Sequence, residues 1–489
     1  MRSAVRFIRR GRAVELSGPQ ARMTLLDWLR LDDRAVGTKE GCAEGDCGAC
    51  TVVLARQKAG RIVHEPVNAC ILLAGQADGA EVLTVEDLSA PGAPLHPVQD
   101  AMVRHHGSQC GFCTPGIVMS LAALHQDGER PVTRAHVCDQ LAGNLCRCTG
   151  YRPIVDAALD ACAVPAPDVS AARIDRLAAL GDDDDIFCGD DSAFFAAPRR
   201  EDVLADLLSR FPDALVVAGS TDAGLWLTKA LMYAPRVIWL GRVAGLGEIS
   251  RTSHVLSIGA TATVADAAHE LGRLAPDLAE VIRRFGSAQV RASATVGGNI
   301  ANGSPIGDLA PCLIALGARL ELARGAASRT IALEDFFIAY KRQDRQPGEI
   351  VRRVLVPLPD AGLAYRAFKI SKRFDEDISA VLGAFALRLD GTKVVDTRIA
   401  FGGMAGVPAR ARATERALAG VDLGVRTSWQ PALDALAAEF QPLSDHRASA
   451  DYRRLVARNL LEKALLELAG GSAGATRIHS HAEGLHAAE

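Results

Sequence analysis

The sequence predicts a multidomain α+β protein, and three observations carry that prediction. Residues 1–83 contain short apolar strands, such as AVRFI and CTVVLA, around a loop rich in glycine and cysteine. Residues 84–162 contain four helical patterns separated by Gly, Pro or Asn. Residues 187–362 alternate between strand-like and helix-like segments with glycine-rich turns, and residues 363–475 read as a further α+β unit. The length of 489 residues suits several domains.

Shorter features complete this division of the chain. Residues 24–32, TLLDWLRLD, have apolar residues at helical spacing and predict one short helix. Residues 163–186 are polar and contain prolines, which predicts a linker, and residues 476–489 predict a flexible tail. The sequence has neither a G-x-G-x-x-G fingerprint nor a Walker-type phosphate loop, so no Rossmann or P-loop domain is expected.

Composition and charge argue against several classes of function. The net charge is −3, which gives no basic footprint for nucleic acid or anionic membrane. The start, MRSAVRFIRRGRAVELSG, lacks the apolar core of a secretory signal. No apolar run approaches the roughly 20 residues that span a bilayer. The sequence therefore predicts a soluble cytoplasmic protein.

The first group of cysteines predicts an iron–sulfur cluster. GCAEGDCGAC places Cys42, Cys47 and Cys50 as C-x4-C-x2-C, and Cys70 follows in NAC. This is the spacing of plant-type [2Fe–2S] ferredoxins, and the interleaved glycines allow backbone N–H groups to approach the sulfurs. Zinc is the alternative, although zinc motifs usually pair two C-x2–4-C knuckles and only one precedes Cys70.

A second group supplies four more thiols. Cys110 and Cys113 form C-x2-C in SQCGFCTPG, and Cys146 and Cys148 form C-x-C in NLCRCTGY. One intervening residue does not easily allow a disulfide within the C-x-C pair. Each pair lies just before a predicted helix, whose N-terminus favours anionic sulfur. A second [2Fe–2S] cluster is predicted, with a zinc site as the alternative. The remaining cysteines receive no role: Cys138, Cys162, Cys188 and Cys312.

Two glycine-rich stretches suggest a dinucleotide cofactor. ALVVAGSTDAGLWL is an apolar strand that runs into a turn rich in N–H and hydroxyl groups. ATVGGNIANGSPIGD is a second polar, glycine-rich loop, over residues 294–308. Each taken alone is also compatible with an ordinary turn. Downstream of two predicted electron carriers, the pair indicates a dinucleotide.

Taken together, the motifs GTKEGCAEGDCGACTV, HGSQCGFCTPG and LAGNLCRCTGY resemble the iron–sulfur half of the xanthine oxidase family of molybdenum hydroxylases. The flavin region downstream is similar to the same family, in which the FAD domain is not a Rossmann fold. The resemblance implies a β-grasp ferredoxin-like domain over 1–83 and a four-helix [2Fe–2S] domain over 84–162. It further implies an α+β FAD-binding domain over 187–362 and a C-terminal α+β flavoprotein domain over 363–475.

The resemblance also implies site residues. Phe285 would pack by the isoalloxazine, Lys369 would lie near the flavin, and Val351 would make an apolar contact. Core packing is the alternative for Phe285, and a surface position is the alternative for Lys369. Gln109 would lie near the pyranopterin of a molybdenum cofactor, or would instead cap a helix. The remaining predicted FAD contacts are Val216, Val217, Ala218, Gly219, Ser220, Thr221, Asp222, Ala223, Gly224, Thr295, Val296, Gly297, Gly298, Asn299 and Asp308.

The implied function is electron transfer within a larger enzyme. In the family, electrons leave a molybdenum-pyranopterin centre, here expected on a large partner subunit, and pass through two [2Fe–2S] clusters and FAD to NAD+ or oxygen. NAD+ is preferred here, because the charged stretch KRFDEDISA is expected beside the flavin. The purine-oxidising branch fits best, in a heterotetramer with two copies of each chain. The alternatives are an aldehyde or N-heterocycle hydroxylase, a free-standing iron–sulfur flavoprotein, and a zinc-stabilised scaffold.

Overall fold

The computed structural model describes residues 1–90, 92–128, 131–166, 168, 170–181 and 184–471. The chain divides into two compact units. The first contains Met1–Ala244 and Gly286–Ala294, and the second contains Gly245–Phe285 and the chain from Thr295 onward. The tail predicted over 476–489 lies outside the described residues, and the finer division into domains stays a prediction.

The first unit opens with a five-stranded mixed sheet in the order β2-β1-β5-β3-β4, in which only β1 and β5 pair in parallel. Arg10 and Gly11 both have positive φ, which suits the tight turn between the first two strands. The predicted short helix is present as α1 (Leu25–Asp27), and a wider turn continues it over Trp28–Asp32. The strands are β1 (Val5–Arg9), β2 (Arg12–Leu16), β3 (Thr51–Lys58), β4 (Arg61–Asn68) and β5 (Glu81–Leu83).

Four helices follow, as the sequence predicts. Their apolar faces form one core, to which Val98, Ile117, Leu121 and Val155 contribute. Proline stands in the first turn of three of them, where its missing N–H costs no helical hydrogen bond. The helices are α2 (Pro97–Arg104), α3 (Thr114–Asp127), α4 (Arg134–Leu141) and α5 (Arg152–Cys162).

Helix α6 (Ser170–Ala178) lies within the stretch predicted as a linker. Leu177 and Leu180, at and just beyond its end, pack with Ile8 of the first sheet. The Arg173 guanidinium donates to the buried Glu81 carboxylate at 2.7 Å. This part of the stretch is therefore anchored on the first sheet.

A second sheet completes the main part of the first unit, in the order β6-β7-β9-β8. Phe195, Val217 and Trp239 from this sheet share one core with residues of the first sheet. The elements are β6 (Ile186–Asp190), β7 (Ala193–Ala197), α7 (Glu201–Arg210), β8 (Leu215–Val217), α8 (Ala223–Thr228) and β9 (Arg236–Trp239).

The second unit begins with β10 (Ile249–Arg251), β11 (Val255–Gly259), α9 (Val264–Gly272) and α10 (Pro276–Arg283). The short helix α11 (Ala288–Ser293) then belongs to the first unit. The next elements of the second unit are α12 (Val296–Asn302), α13 (Leu309–Ala315), β12 (Arg319–Arg324), β13 (Ala327–Ala332), α14 (Leu333–Phe336), β14 (Phe337–Ala339), β15 (Arg342–Gln343) and β16 (Ile350–Pro357). Five of these strands form a sheet in the order β10-β11-β16-β12-β13.

An antiparallel four-stranded sheet and three helices complete the second unit. Phe385, Phe401, Trp429 and Leu461 lie at the centre of its core. The elements are β17 (Leu363–Ile370), β18 (Val381–Asp390), β19 (Lys393–Gly402), β20 (Ala409–Arg410), α15 (Arg412–Leu418), α16 (Gln430–Glu439) and α17 (Ala450–Leu468).

The predicted α+β multidomain class is confirmed: mixed and antiparallel sheets alternate with helices in both units. Among the described residues, none of the helices combines the length and the apolar character needed to cross a lipid bilayer.

Candidate functional site

The first cysteine group lies at one edge of the first sheet. Cys42, Cys47 and Cys50 occupy the loop that leads into β3, and Cys70 follows β4. Because β3 and β4 pair from Thr51 to Asn68, their ends bring Cys50 and Cys70 together although 20 residues separate them. Cys50 and Cys70 are buried, whereas Cys42 and Cys47 are half-buried.

The four thiols contact one another. Hydrogen bonds from Cys47 and then Cys70 lower the pKa of the Cys42 thiol. The hydrogen bond to Cys42 is also the first cause that raises the pKa of Cys47 and of Cys70, and Cys70 has a further contact with Cys50. The backbone N–H groups of Glu44 and Cys47 point at the Cys42 sulfur, at 3.5 and 3.4 Å. Amides aimed at sulfur stabilise a thiolate, which is the form that binds iron.

Glycines give this loop its tight path. A Cβ at Gly41 would stand 2.7 Å from the Cys47 sulfur. Gly45 and Gly48 have φ of +78° and +67°, where other residues are strained. The predicted role of these glycines therefore has a direct steric basis at Gly41.

The second cysteine group lies before the N-termini of α3 and α5 in the helical region. Cys113 is the residue immediately before α3, and Cys148 lies a few residues before α5. Cys110 and Cys148 form one contacting pair, and Cys113 and Cys146 form the other. Cys110 and Cys148 are exposed. Four thiols in two facing pairs are the donor set that a [2Fe–2S] cluster requires.

Local hydrogen bonds set the proton affinities of this group. The Phe112 backbone N–H, followed by the Cys148 thiol, lowers the pKa of Cys110. Burial, followed by the contact with Cys146, raises the pKa of Cys113 to about 12. Burial also raises the pKa of Cys146, but hydrogen bonds from Thr149 outweigh it and leave the pKa of Cys146 lowered. Each pair therefore contains one thiol that is more acidic than usual.

The two cysteine loops contact each other directly. The Leu145 backbone N–H donates to the Cys47 carbonyl at 3.0 Å. The Asn144 side-chain amide donates to the Gly48 carbonyl at 3.1 Å, and a Cβ at Gly48 would stand 2.1 Å from the Gly143 carbonyl oxygen. Both loops lie within the first unit, so their spacing is fixed by this contact.

Within the described part of the chain, no three or more His, Cys, Asp or Glu side chains are grouped as a single metal ion would require. The thiol contacts described above instead link neighbouring cysteines within each group. Eight thiols in two groups of four, with amides directed at sulfur and a glycine where a side chain would strike a ligand, fit two binuclear clusters.

The first predicted FAD segment, Val216–Gly224, comprises the end of β8, the turn after it and the first residues of α8 in the first unit. Ser220 has φ of +55°, and its hydroxyl oxygen lies 2.7 Å from the Gln76 side-chain oxygen and 2.9 Å from the Ile71 carbonyl oxygen, the two acceptors for its single O–H. The Ser220 hydroxyl therefore forms its hydrogen bond inside the protein. In the described chain, the backbone N–H groups of Gly219 and Thr221 have no protein acceptor. Unpaired amides of this kind suit a pyrophosphate.

The second predicted segment, Thr295–Asn299, opens α12 in the second unit. The Thr295 hydroxyl accepts from the Gly298 N–H at 3.1 Å and so caps the helix. Gly297 packs against Ala260 so closely that a Cβ would stand 2.4 Å from the Ala260 methyl carbon. The buried Asn299 side-chain oxygen has no hydrogen-bond partner among the described residues. An unsatisfied buried amide oxygen in this loop fits a site that a cofactor completes.

Asp308 and Lys369 form a buried pair in the same unit. The Lys369 ammonium donates to Asp308 at 2.7 Å and to the Arg284 carbonyl at 3.0 Å, and the Ser379 hydroxyl donates to the other Asp308 oxygen.

Phe285 is half-buried beside Arg284 in the chain. Val351 lies in β16, where it is 5% exposed and stands opposite Leu322 of β12 in the sheet. Most of its side chain is therefore packed inside the protein.

Gln109 is exposed between α2 and α3. Cys113, and not Gln109, immediately precedes the first turn of α3, so Gln109 is not the residue at the helix cap.

Sequence reasoning did not identify Ser379, Arg284 or Asn144. The first two are separated from Asp308 or Lys369 by 71 and 85 residues, so no local spacing signals them. Asn144 stands two residues before Cys146 in the NLC motif, and this position next to a cysteine was the signal that could have identified it.

Four family models match the chain in order. They are a 2Fe-2S iron-sulfur cluster binding domain over residues 7–74, a [2Fe-2S] binding domain over 84–159, the FAD binding domain in molybdopterin dehydrogenase over 191–359, and the CO dehydrogenase flavoprotein C-terminal domain over 366–468. The chain belongs to the xanthine oxidase family. It is an electron-transfer iron–sulfur and FAD region of that family.

Individual relatives agree with this family. A xanthine dehydrogenase of Drosophila subobscura is 34% identical over 468 residues, which covers 82% of this chain and 34% of the relative. The chain thus spans about a third of the length of the curated xanthine dehydrogenases it matches. A carbon monoxide dehydrogenase structure from Hydrogenophaga pseudoflava has a TM-score of 0.53 at 27% identity, over 55% of this chain and 95% of the other. Quinoline 2-oxidoreductase from Pseudomonas putida 86 has a TM-score of 0.51 at 26% identity, over 56% and 95%.

Proposed function

We propose that this chain is the iron–sulfur and FAD subunit of a xanthine dehydrogenase. A partner subunit with the molybdenum-pyranopterin centre would oxidise hypoxanthine and xanthine to urate, and NAD+ would be the final acceptor. The similarity to xanthine dehydrogenases over 82% of the chain supports this substrate class. We further propose an assembly with two copies of each subunit.

The observation that carries the proposal is a contrast in exposure between the two cysteine groups. Cys110 and Cys148 are exposed, whereas Cys50 and Cys70 are 1% and 2% exposed. A carrier with two exposed ligands allows a separate protein to approach more closely than one whose ligands are buried or half-buried. The second group is therefore the proposed entry point, and Gln109, exposed beside Cys110, is proposed to face the pyranopterin.

When bound, two [2Fe–2S] clusters and FAD supply one-electron and two-electron transfer. The residues of this chain have the task of holding and insulating them. We propose that the eight cysteines bind the two clusters and that the amides of Val216–Gly224 bind the FAD pyrophosphate. Thr295–Asn299 and Asp308 would line the rest of the FAD site, with Lys369 as a fixed positive charge and Phe285 and Val351 as apolar contacts.

The preference for NAD+ rests on the stretch from Ser371 to Ser379. Its charges are held in place: the Arg373 backbone N–H donates to Asp377 at 2.9 Å, and the Arg373 guanidinium donates to the Glu376 carbonyl at 2.7 Å. Arg283 lies 3.6 Å from Asp375. Fixed charges in this position would bias the reactivity of a nearby flavin.

Native purification tests the subunit assignment. An affinity tag on this chain should retain a stoichiometric companion chain that carries molybdenum, together with iron for two clusters and one FAD. A protein that carries iron and FAD, but no molybdenum or companion after gentle purification, would favour a free-standing flavoprotein. An iron-free, colourless protein from cells able to insert clusters would contradict both proposals.

The acceptor is tested on the assembled enzyme. Reduction with xanthine in the presence of NAD+ and oxygen should yield NADH before superoxide. NADH is measured by its absorption at 340 nm, and superoxide is measured by the reduction of cytochrome c. Predominant superoxide would refute the preference for NAD+ while leaving the electron-transfer role intact.

The similarity to quinoline 2-oxidoreductase and carbon monoxide dehydrogenase favours a second candidate: an electron-transfer subunit of another molybdenum hydroxylase, acting on an aldehyde or an N-heterocycle. A substrate panel with the assembled enzyme separates the candidates. Bleaching of the visible absorption by hypoxanthine and xanthine supports purine oxidation, and bleaching by quinoline or an aldehyde alone supports the second candidate.

A further inference from the structure

A fully buried polar network lies behind the two cysteine loops. It consists of Thr51, Ser120, Asn144 and Gln289, each at most 1% exposed. Ser120 donates to the Asn144 side-chain oxygen at 2.6 Å, and the Asn144 amide donates to the Thr51 hydroxyl at 3.2 Å. Burying polar side chains is costly unless they form hydrogen bonds, so the bonds of this network hold its members in one arrangement; the Gln289 side-chain oxygen is a buried atom without a partner among the described residues.

Gln289, like Asn144, contacts all the other members of the network, and it comes from a segment that lies far along the chain from them. Its side-chain N–H2 group lies 2.8 Å from the Asn144 oxygen, 2.9 Å from the Ser120 hydroxyl and 3.3 Å from the Thr51 hydroxyl. These three partners come from three different segments: β3 next to Cys50, helix α3 that begins after Cys113, and the loop that leads to Cys146. Gln289 therefore connects both cysteine groups through one amide.

The partners of Gln289 hold the loop–loop contact itself. Asn144 donates to the Gly48 carbonyl, and Thr51 donates to the same carbonyl at 2.7 Å. Gly48 follows Cys47, whose carbonyl accepts from Leu145, and Leu145 precedes Cys146. A shift of Asn144 would thus move Leu145 and change the distance between the cysteines on the two loops.

The chain brings Gln289 to this position by close packing. Gly143 has no room for a side chain, because a Cβ would stand 2.2 Å from the Ser287 Cβ and 2.7 Å from the Gln289 side-chain oxygen. Ser287 in turn caps α11 by accepting from the Val290 N–H at 3.2 Å. The helix that carries Gln289 is therefore fixed against the loop that carries Asn144.

We propose that Gln289 is a positioning residue that sets the separation of the two iron–sulfur clusters. This inference rests on the proposed function, because it requires both clusters to be bound. Gln289 touches no cluster ligand directly and acts through Asn144 and Thr51. Its effect is on the electronic communication between the clusters, since electron transfer and magnetic coupling both fall steeply with distance.

The test compares Gln289→Leu with the matched control Gln140→Leu in the full chain. Gln140 donates to the Ser120 backbone carbonyl at 2.9 Å and belongs to α4, outside the loop–loop contact. Electron paramagnetic resonance of the fully reduced protein measures the dipolar splitting between the clusters. We expect Gln289→Leu to retain both cluster signals but to lose or broaden the splitting, and Gln140→Leu to keep the wild-type splitting.

Two outcomes of the comparison between Gln289→Leu and Gln140→Leu overturn the inference. One is a wild-type splitting in Gln289→Leu with both clusters present, and the other is an equal change in Gln140→Leu. If Gln289→Leu does not fold, Gln289→Glu decides, because it keeps the shape but replaces the donor that faces the Asn144 oxygen; an unchanged splitting there also overturns it. Absence of two cluster signals from the wild-type protein would instead refute the proposed function.

Discussion

At the scale of single residues, Cys148 offers the sharpest test of the ligand assignment. Its thiol contacts Cys110 of the second cysteine group, and it is exposed. We expect Cys148→Ala to remove the second cluster and to leave the first, with about half of the iron lost. Cys138→Ala, also at an exposed cysteine, should leave both clusters in place. Iron analysis and electron paramagnetic resonance provide the measurement; survival of both signals in Cys148→Ala would show the assignment to be wrong.

Gly48 tests the contact between the loops. Gly48→Ala places a residue with a side chain at φ of +67°, which costs about 1–2 kcal/mol, and also directs the Cβ against the Gly143 carbonyl. Gly60→Ala is the matched control, because Gly60 has φ of +80° but nothing within 4 Å of a Cβ. Thermal unfolding should show a larger loss of stability in Gly48→Ala. Equal losses in the two variants would mean that the loops can separate without cost.

The residue scale also shows what local sequence can and cannot reveal. The two cysteine groups were predicted from short, fixed spacings typical of cluster ligands, and the structure brings the thiols of each group into contact; their role as cluster ligands stays a prediction. Gln289 could not be predicted, because its partners Thr51 and Asn144 are 238 and 145 residues away. Nothing in the surrounding sequence AQVRAS marks a buried amide that serves two distant loops.

At the scale of elements, the start of α2 carries a pH-sensitive cap. The His96 ring accepts from the Val98 N–H at 3.2 Å, and its centroid lies 5.3 Å from that of His125. Burial, followed by repulsion from His125, lowers the pKa of His96 to about 4. Between pH 6.5 and 4 the unfolded chain therefore binds the proton more readily than the folded chain does. Stability is full above pH 6.5 and decreases as the pH falls toward 4.

We expect this single group to cost on the order of 2 kcal/mol by pH 4, after allowance for its partial exposure. His96→Ser keeps a side-chain acceptor for the cap but does not titrate in this range. Urea unfolding measured at several pH values should show a flatter dependence in His96→Ser than in the wild type. Parallel curves for the two proteins would assign the acid sensitivity to other groups.

The elements also differ in how far the sequence predicts them. The four helices from α2 to α5 were predicted, because each combines apolar periodicity with Pro, Gly or Asn at its limits. The sequence predicts a linker where helix α6 lies, because the surrounding residues are polar and include prolines and the apolar face of the helix is short. Its position depends on tertiary contacts, with Leu177 packed beside Ile8 and Arg173 paired with Glu81. Contacts of this kind override local propensity.

At the scale of the whole molecule, the compact units do not follow the order of the chain. The predicted flavin segment over 187–362 stays a prediction; within it, residues up to Ala244 and the segment Gly286–Ala294 belong to the compact unit that contains the cysteines. The reason is physical: strands β7, β8 and β9 share a core with the first sheet, and Gln289 completes the network behind the cysteine loops. Motifs and local patterns in the sequence cannot reveal a core formed by segments that are far apart in the chain.

This arrangement predicts that a fragment of residues 1–244 is weakened specifically by the loss of Gly286–Ala294. Without Gln289, the buried oxygens of Asn144, Ser120 and Thr51 lose the two N–H donors of one amide, at about 1 kcal/mol for each hydrogen bond. We expect the cluster absorption to bleach faster in urea than in a second fragment, in which a glycine–serine linker joins Ala244 to residues 286–294. Gln289→Leu in the second fragment should restore the faster bleaching. Equal rates in all three fragments would show that the segment contributes nothing to the stability of the cysteine loops.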